Sequence, residues 1–420
     1  MTKRALLGLS LVAATLLVVH RASGSWFIAD DFYHLDDLVQ RLLGPPLAML
    51  GREDWARMNW RPVARLSWML NFSLGGFDPA GYLWLNMLVH SANVVLIFSL
   101  ASLLGLSLPW AWLAAFLFAV GPRKMSAVCW IAGRSESLGF LFVLLAVVLW
   151  AYGRKSDNSR LRHWSLLPLV VSFGVKEWCP FYGFLLLAWT DRYLCSRWCW
   201  RDLLPPFLLC FGYLAAAAVT LGAGRVIEVG WVTLRLFLDA VAQIMMPGYE
   251  YPRWLLAGAI ISLIVYPLAI ASGRLGRFAS GWVVFALIAP SLLIYSVRLG
   301  EWKVYPASAG AAIAFVCALQ VLVRLSRRLG RGAAAFRVGV AVLVLGFVGS
   351  QLVLGQRVIE TELRGKAERW RATILAPPTR GGEKNRRFRT AILRLSSMMK
   401  AGRPATLVKE GASPRAESLR

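Results

Sequence analysis

Long apolar runs separated by short arginine-rich gaps restrict most strongly what this 420-residue chain can fold into. The runs lie near the length needed to cross a hydrocarbon core, about 20 residues in a helix. Helices that are apolar all round must face lipid or other buried helices. Spanning backbone must also satisfy its hydrogen bonds internally. The pattern therefore predicts an all-α, polytopic membrane bundle. Composition agrees: only 16% of residues are charged and the mean hydropathy is +0.57, whereas a soluble domain carries about 25% charged residues.

Eleven crossings are expected. Lys3 and Arg4 precede a first apolar stretch from Ala5 to His20, read as a retained signal anchor rather than a cleaved leader. The others fall near Tyr82–Leu106, Trp110–Val120, Leu138–Tyr152, Trp164–Val175, Trp178–Thr190, Leu203–Leu221, Trp254–Ala271, Gly281–Ser296, Ala307–Val323 and Val338–Leu354. With the N-terminus in the cytoplasm, the inside loops carry Arg154, Lys155, Arg160, Arg192, Arg197, Arg274, Arg277 and Arg324–Arg337, as the positive-inside rule requires. The other face gathers nearly all remaining acids, from Asp30 to Glu301. The chain thus divides into a transmembrane domain, 1–354, with a large first outer loop, 21–81, and a basic tail, 355–420. The tail reads as two short helices around Pro377–Pro378, then a disordered end. This topology puts a strongly basic tail outside, which fits the rule poorly.

A net charge of +25 invites a nucleic-acid partner, but the cations are scattered over many loops, so none is expected. Six cysteines form no disulfide framework. Cys195 and Cys199 have a spacing that can place two ligands on one helix face, but without a second Cys or His pair they read as packing residues.

Chemistry is expected on the acidic face. The first outer loop begins FIADDFYHLDDL. If this segment is helical, Asp30 or Asp31 shares a face with His34. Adjacent carboxylates near a low-dielectric surface can have their pKa values pushed apart, which suits one to act as a general base. An Asp before an amphipathic stretch is equally a helix N-cap, and the pattern leaves both readings open. Arg61 and Arg65 lie beside Trp60 and Trp68, as in an interfacial helix whose arginines snorkel or meet an anionic head group. Asn86, His90 and Asn93 line one face of the second span, a stripe that favours helix packing. Arg134–Glu136 and Lys176–Glu177 stand at span ends, where ionisable residues are functional candidates or simple ion pairs. Glu301, Lys303 and Tyr305 follow late in the chain.

The order of these motifs, an acidic pair, RP…S…N…H..N, WI.GRS, KE and E…YP.SAG, resembles the GT-C superfamily of membrane glycosyltransferases. The closest resemblance is to the transmembrane and tetratricopeptide-repeat-containing O-mannosyltransferases and their bacterial relatives, over roughly residues 1–325. It implies a GT-C-like fold and inverting transfer of a sugar from a polyprenyl-phosphate-linked donor at the non-cytoplasmic face of a bacterial-type inner membrane. The acceptor, whether protein, glycan or lipid, stays open. Asp30 or Asp31 would be the base, Arg61, Arg134 and Lys176 would hold the donor phosphate, and His34, His90, Glu177, Glu301 and Tyr305 would support them. No metal is assigned, although hard oxygen ligands suit Mg²⁺ or Mn²⁺. The chain departs from its relatives at Gly121–Pro122–Arg123–Lys124, where they carry a His-Pro pair, and at EWKVYPAS, where they read nearer ERYLYLPS. The tail is too short for their repeat array. Two other classes compete: a transporter or lipid flippase, whose charges should lie near the midplane on broken helices, and a non-catalytic scaffold, in which Asp30 and Asp31 are dispensable.

Overall fold

The computed structural model describes residues 2–28, 30–42, 60–122, 125–221, 238, 240–242, 244–245, 252–293, 304–328 and 332–375. Its described residues form helices and turns, with no strand among them. The helices are α1 (Lys3–Val19), α2 (Asp30–Leu42), α3 (Pro62–Gly75), α4 (Pro79–Leu103), α5 (Leu108–Val120), α6 (Met125–Cys129), α7 (Arg134–Lys155) and α8 (Ser159–Trp164). They continue as α9 (Leu166–Phe173), α10 (Cys179–Cys195), α11 (Trp200–Leu221), α12 (Pro252–Ala271), α13 (Arg274–Leu293), α14 (Tyr305–Ser326), α15 (Ala333–Arg357) and α16 (Gly365–Leu375). A π-helical stretch, Val358–Arg364, joins the last two.

Among the described residues, five helices are long and apolar enough to cross a membrane: Lys3–Gly24, Pro79–Leu103, Ile131–Lys155, Tyr305–Ser326 and Ala333–Ala372. Leu108–Val120 and Leu256–Ala271 are apolar but shorter. The expected span Trp164–Val175 falls on α8 and α9, which meet at Ser165, where the backbone stays in the right-handed helical region. Glu301 and Lys303, the tail beyond Leu375, Arg123–Lys124 and part of the expected span 281–296 lie outside the described residues.

Small residues decide which helix is central. The sequence of α14, YPASAGAAIAF, buries Tyr305 through Ala314 completely or nearly so. Its lack of bulk lets α12, α13 and α5 approach closely. By contrast, α15 turns Val342, Leu343 and Leu345 outward, an apolar exposure that water would oppose and lipid accepts. Around the centre, α4 packs on α1, α5 and α7, and α7 on α10. At Gly139 a Cβ would stand 2.8 Å from Cys179 Sγ, so glycine brings the start of α10 against α7.

The tail's first turns return to the acidic end. Arg21 pairs with Glu360 at 2.8 Å, Gln356 Nε2 donates to Val18 O at 2.8 Å, and Trp370 lies 5.8 Å from Phe32. The segment after Gly355 therefore packs beside α2.

Candidate active site

The acidic pair is divided by its backbone. After α1 and a short 3-10 turn the chain runs extended through Ser25–Ile28 and enters α2. Asp31 Oδ2 accepts the Ile28 N–H at 2.8 Å, the return half of a capping box. Its Oδ1 accepts the Ala132 N–H at 2.7 Å, and Trp130 Nε1 donates to Ile28 O at 3.3 Å. Asp31 is fully buried. It ties α2 to the 131–133 turn, and Gly133 lets that turn fold closely back on α6: a Cβ there would lie 2.7 Å from Ser126 O. Asp30 stays exposed at the start of the same helix.

Environment separates the two acids further. Burial pushes the Asp31 carboxyl up to about 8, against the Ile28 and Ala132 N–H bonds, with the Asp30 charge adding to the rise. Desolvation also raises Asp30, and there Lys176 opposes it.

A chain of ion pairs runs through Lys176, whose charge acts on Asp30. The backbone N–H of Val63 donates to Gly174 O at 2.9 Å, which docks α3 on the turn between α9 and α10. That contact lets Arg61 grip Glu177 bidentately, through Nε at 3.1 Å and Nη2 at 2.8 Å to Oε2. Lys176 Nζ lies 3.1 Å from Glu136 and 3.7 Å from Glu177. Glu136 Oε2 accepts from Trp178 Nε1 at 2.7 Å, and Arg65 pairs with Asp37 at 3.3 Å. Burial alone would raise Glu177, but Arg61 and Lys176 outweigh it and bring it down to about 2. His34, 5.2 Å from the Trp68 ring, is held down at about 3 by burial and by Arg61, Lys176 and Arg65. Asp30, His34, Arg61, Lys176 and Glu177 thus share one electrostatic neighbourhood. Arg65, Asp37 and Trp178 complete it; Arg65's spacing from Arg61 and Asp37's place among the outer acids signalled the first two in the sequence.

Arg134 differs from expectation. It is fully buried, with Nε donating to Asn86 Oδ1 at 2.6 Å, Nη1 to Ser67 O at 3.0 Å and Nη2 to Tyr82 O at 2.8 Å. Its guanidinium also lies 5.7 Å from the Trp68 and Tyr82 ring centroids. These contacts make it a clasp between α3, α4 and α7 rather than an open phosphate ligand. His90 and Tyr305 lie in a separate interior network. Asn93 Nδ2 donates to Tyr305 Oη at 3.1 Å, and Tyr305 Oη stands 2.6 Å from His90 Nδ1. His90 Nε2 faces Ala119 O at 3.2 Å. A carbonyl can only accept, so Nε2 carries the proton and Nδ1 accepts from the tyrosine. The stripe packs helices, as its pattern favoured.

Among the described residues, one group of three candidate metal ligands lies together: Asp191, Cys195 and Cys199, within 4.8 Å of one another. Asp191 is already engaged by Arg154 and by Trp150 Nε1 at 2.9 Å. The group lies at the end of α10 and in the turn after it, the end of that helix away from Lys176 and Glu177.

No family model matches the chain. It is 30% identical over 161 residues to Protein O-mannosyl-transferase tmtc2 of Xenopus laevis, covering 38% of this chain and 14% of that protein. Against Protein O-mannosyl-transferase Tmtc1 of Drosophila melanogaster the identity is 33% over 139 residues, 31% of this chain and 16% of the relative. Against human Protein O-mannosyl-transferase TMTC3 it is 34% over 119 residues, 28% and 13%. The matched part thus spans about a seventh of these relatives' length. The resemblance to the transmembrane and tetratricopeptide-repeat-containing branch of the GT-C glycosyltransferases, carried first by the order of motifs, is thereby shown in aligned sequence.

Proposed function

We propose that the chain is an inverting glycosyltransferase that moves a sugar from a polyprenyl-phosphate-linked donor to an acceptor at the non-cytoplasmic membrane face. The observation that carries the reading is the exposed carboxyl of Asp30 within the field of Lys176, at the rim of an apolar bundle. The names of the relatives support sugar transfer.

In this reading Asp30 accepts the proton of the acceptor hydroxyl. The acceptor oxygen bonds to the anomeric carbon from the face opposite the phosphate, and the carbon–phosphate-oxygen bond breaks with its electron pair leaving on phosphate. Lys176, whose charge reaches Asp30 and which is steadied by Glu136 and Glu177, meets the negative charge that grows on the phosphate. Arg61 holds Glu177 and adds to the same positive field. Asp31 and Arg134 act as positioning residues, because neither presents a free surface to a substrate. His34 stays neutral beside the cations. No step is assigned to a metal. A flippase reading is less well supported: the polar groups His90 and Asn93, midway along α4, bond to their shared partner Tyr305 at the start of α14 and to backbone.

The test is transfer from a synthetic polyprenyl-phosphate mannose by the purified chain. Asp30→Asn should cost on the order of 10²–10⁴-fold, the usual worth of a general base, with unfolding temperature unchanged. Full activity in that variant would remove Asp30 from the mechanism. Absence of transfer by the unaltered chain across acceptor classes would favour the scaffold.

A further inference from the structure

At the end of the bundle opposite Asp30, α10 finishes through Arg192 and Tyr193, and α13 opens at Arg274. The separation follows from helix length: the 17 residues of α10 rise about 25 Å, with Lys176–Glu177 before its start. Between α10 and α13 lies an open cavity of about 380 Å³, walled by Trp189, Tyr193 and Trp198 and edged by Arg192, Arg274 and Arg277. Arg274 is fixed there, donating to Tyr193 O with its guanidinium 5.4 Å from that ring's centroid. Trp189 is fixed as well, its indole N–H donating to Phe278 O at 3.0 Å.

The cavity holds positive charge without its own counter-charge. Among the described residues, no carboxylate pairs with Arg192, Arg274 or Arg277. Asp191, next to Arg192 in sequence, is occupied by Arg154 and Trp150. Guanidinium groups offer planar paired donors that match phosphate oxygens. Indole and phenol rings favour the headgroup level of a bilayer, and basic pockets between spanning helices suit anionic headgroups. The volume also falls within the range of small-ligand sites.

We propose that this cavity binds the phosphate of an anionic phospholipid headgroup, its glycerol and upper acyl carbons lying on Trp189 and Trp198. A soluble phosphate shares the charge but has no use for the aromatic walls, which is why the lipid is favoured. The assignment is independent of the sugar-transfer reading.

Native mass spectrometry of the full chain in detergent, titrated with phosphatidylglycerol or phosphatidylcholine, tests it. Phosphatidylglycerol should be retained preferentially, and Arg192→Gln with Arg277→Gln should weaken that retention about thirtyfold. This corresponds to about 1 kcal/mol for each cation at a membrane surface. Lys155→Gln with Arg160→Gln removes the same charge from exposed positions outside the cavity and should leave retention unchanged. Equal losses in both pairs, or none in either, would overturn the site. Displacement of the lipid by millimolar inorganic phosphate would overturn the lipid assignment. If the double glutamine variant unfolds, Arg277→Gln alone, on an exposed side chain, should still lose about fivefold; no loss there would refute the proposal.

Discussion

Replacing Asp31 by asparagine separates what its burial does from what its hydrogen bonds do. The carboxyl accepts two backbone N–H groups, from Ile28 and Ala132, one on each oxygen. An asparagine has one acceptor oxygen, so one N–H must face an NH₂ group; a buried donor left unmet costs about 1–3 kcal/mol. That penalty does not depend on pH. The wild-type carboxyl does, because burial raises it from 3.8 to about 8 in the folded chain. Between those values the unfolded chain has released a proton that the folded chain keeps. The stability linked to the neutral carboxyl is therefore complete below the unfolded value and is lost as pH rises through about 8. The slope approaches roughly 1.4 kcal/mol for each pH unit. Asp31→Asn should be the less stable form near pH 5 and should match or exceed wild type near pH 8. Unfolding temperatures from tryptophan fluorescence in detergent, measured for both proteins from pH 5 to 9, give the difference directly. Groups common to both cancel. Parallel curves would refute the reasoning, because they would mean that the two N–H bonds keep Asp31 ionised throughout.

The remaining predictions use the same contacts. Glu177 is depressed to about 2 from 4.5, so its contribution is present above pH 4.5 and lost as pH falls toward 2. Glu177→Gln should cost roughly 1–3 kcal/mol at neutral pH, discounted because the pair is partly exposed, and should flatten acid unfolding below pH 4.5; an unchanged acid limb would remove the Arg61 pairing from the account. Gly133→Ala forces a Cβ against Ser126 O and should destabilise by about 1–3 kcal/mol, the usual cost of overpacking, while loosening the Asp31–Ala132 contact. Wild-type stability in that variant would show that the turn yields. Finally, single cysteines placed near Asp31 and near Arg328 should label from opposite sides of a sealed membrane, the first from outside. The reverse pattern would overturn the topology and the proposed face of action.

Periodicity and charge by themselves determined that the chain is a helical membrane protein and that its charged residues gather toward the ends of the apolar runs. The reason is local: a bilayer rejects charge and unpaired backbone wherever they occur along a run, so sequence position reports depth. The clustering of Arg61, Lys176 and Glu177 near Asp30 was partly legible for the same reason, since all stand at span ends. Sequence could not rank chemically identical residues. Asp30 and Asp31 are neighbours, yet one is exposed and the other fully buried; the difference arises from Ala132, 101 residues away, in a turn that Gly133 lets fold back on α6. Likewise Arg134 and Lys176 look alike as span-end cations, but Ser67, Tyr82 and Asn86 converge on the first and close it. Which side chain keeps an open face depends on partners brought from distant helices, and only the tertiary packing decides that.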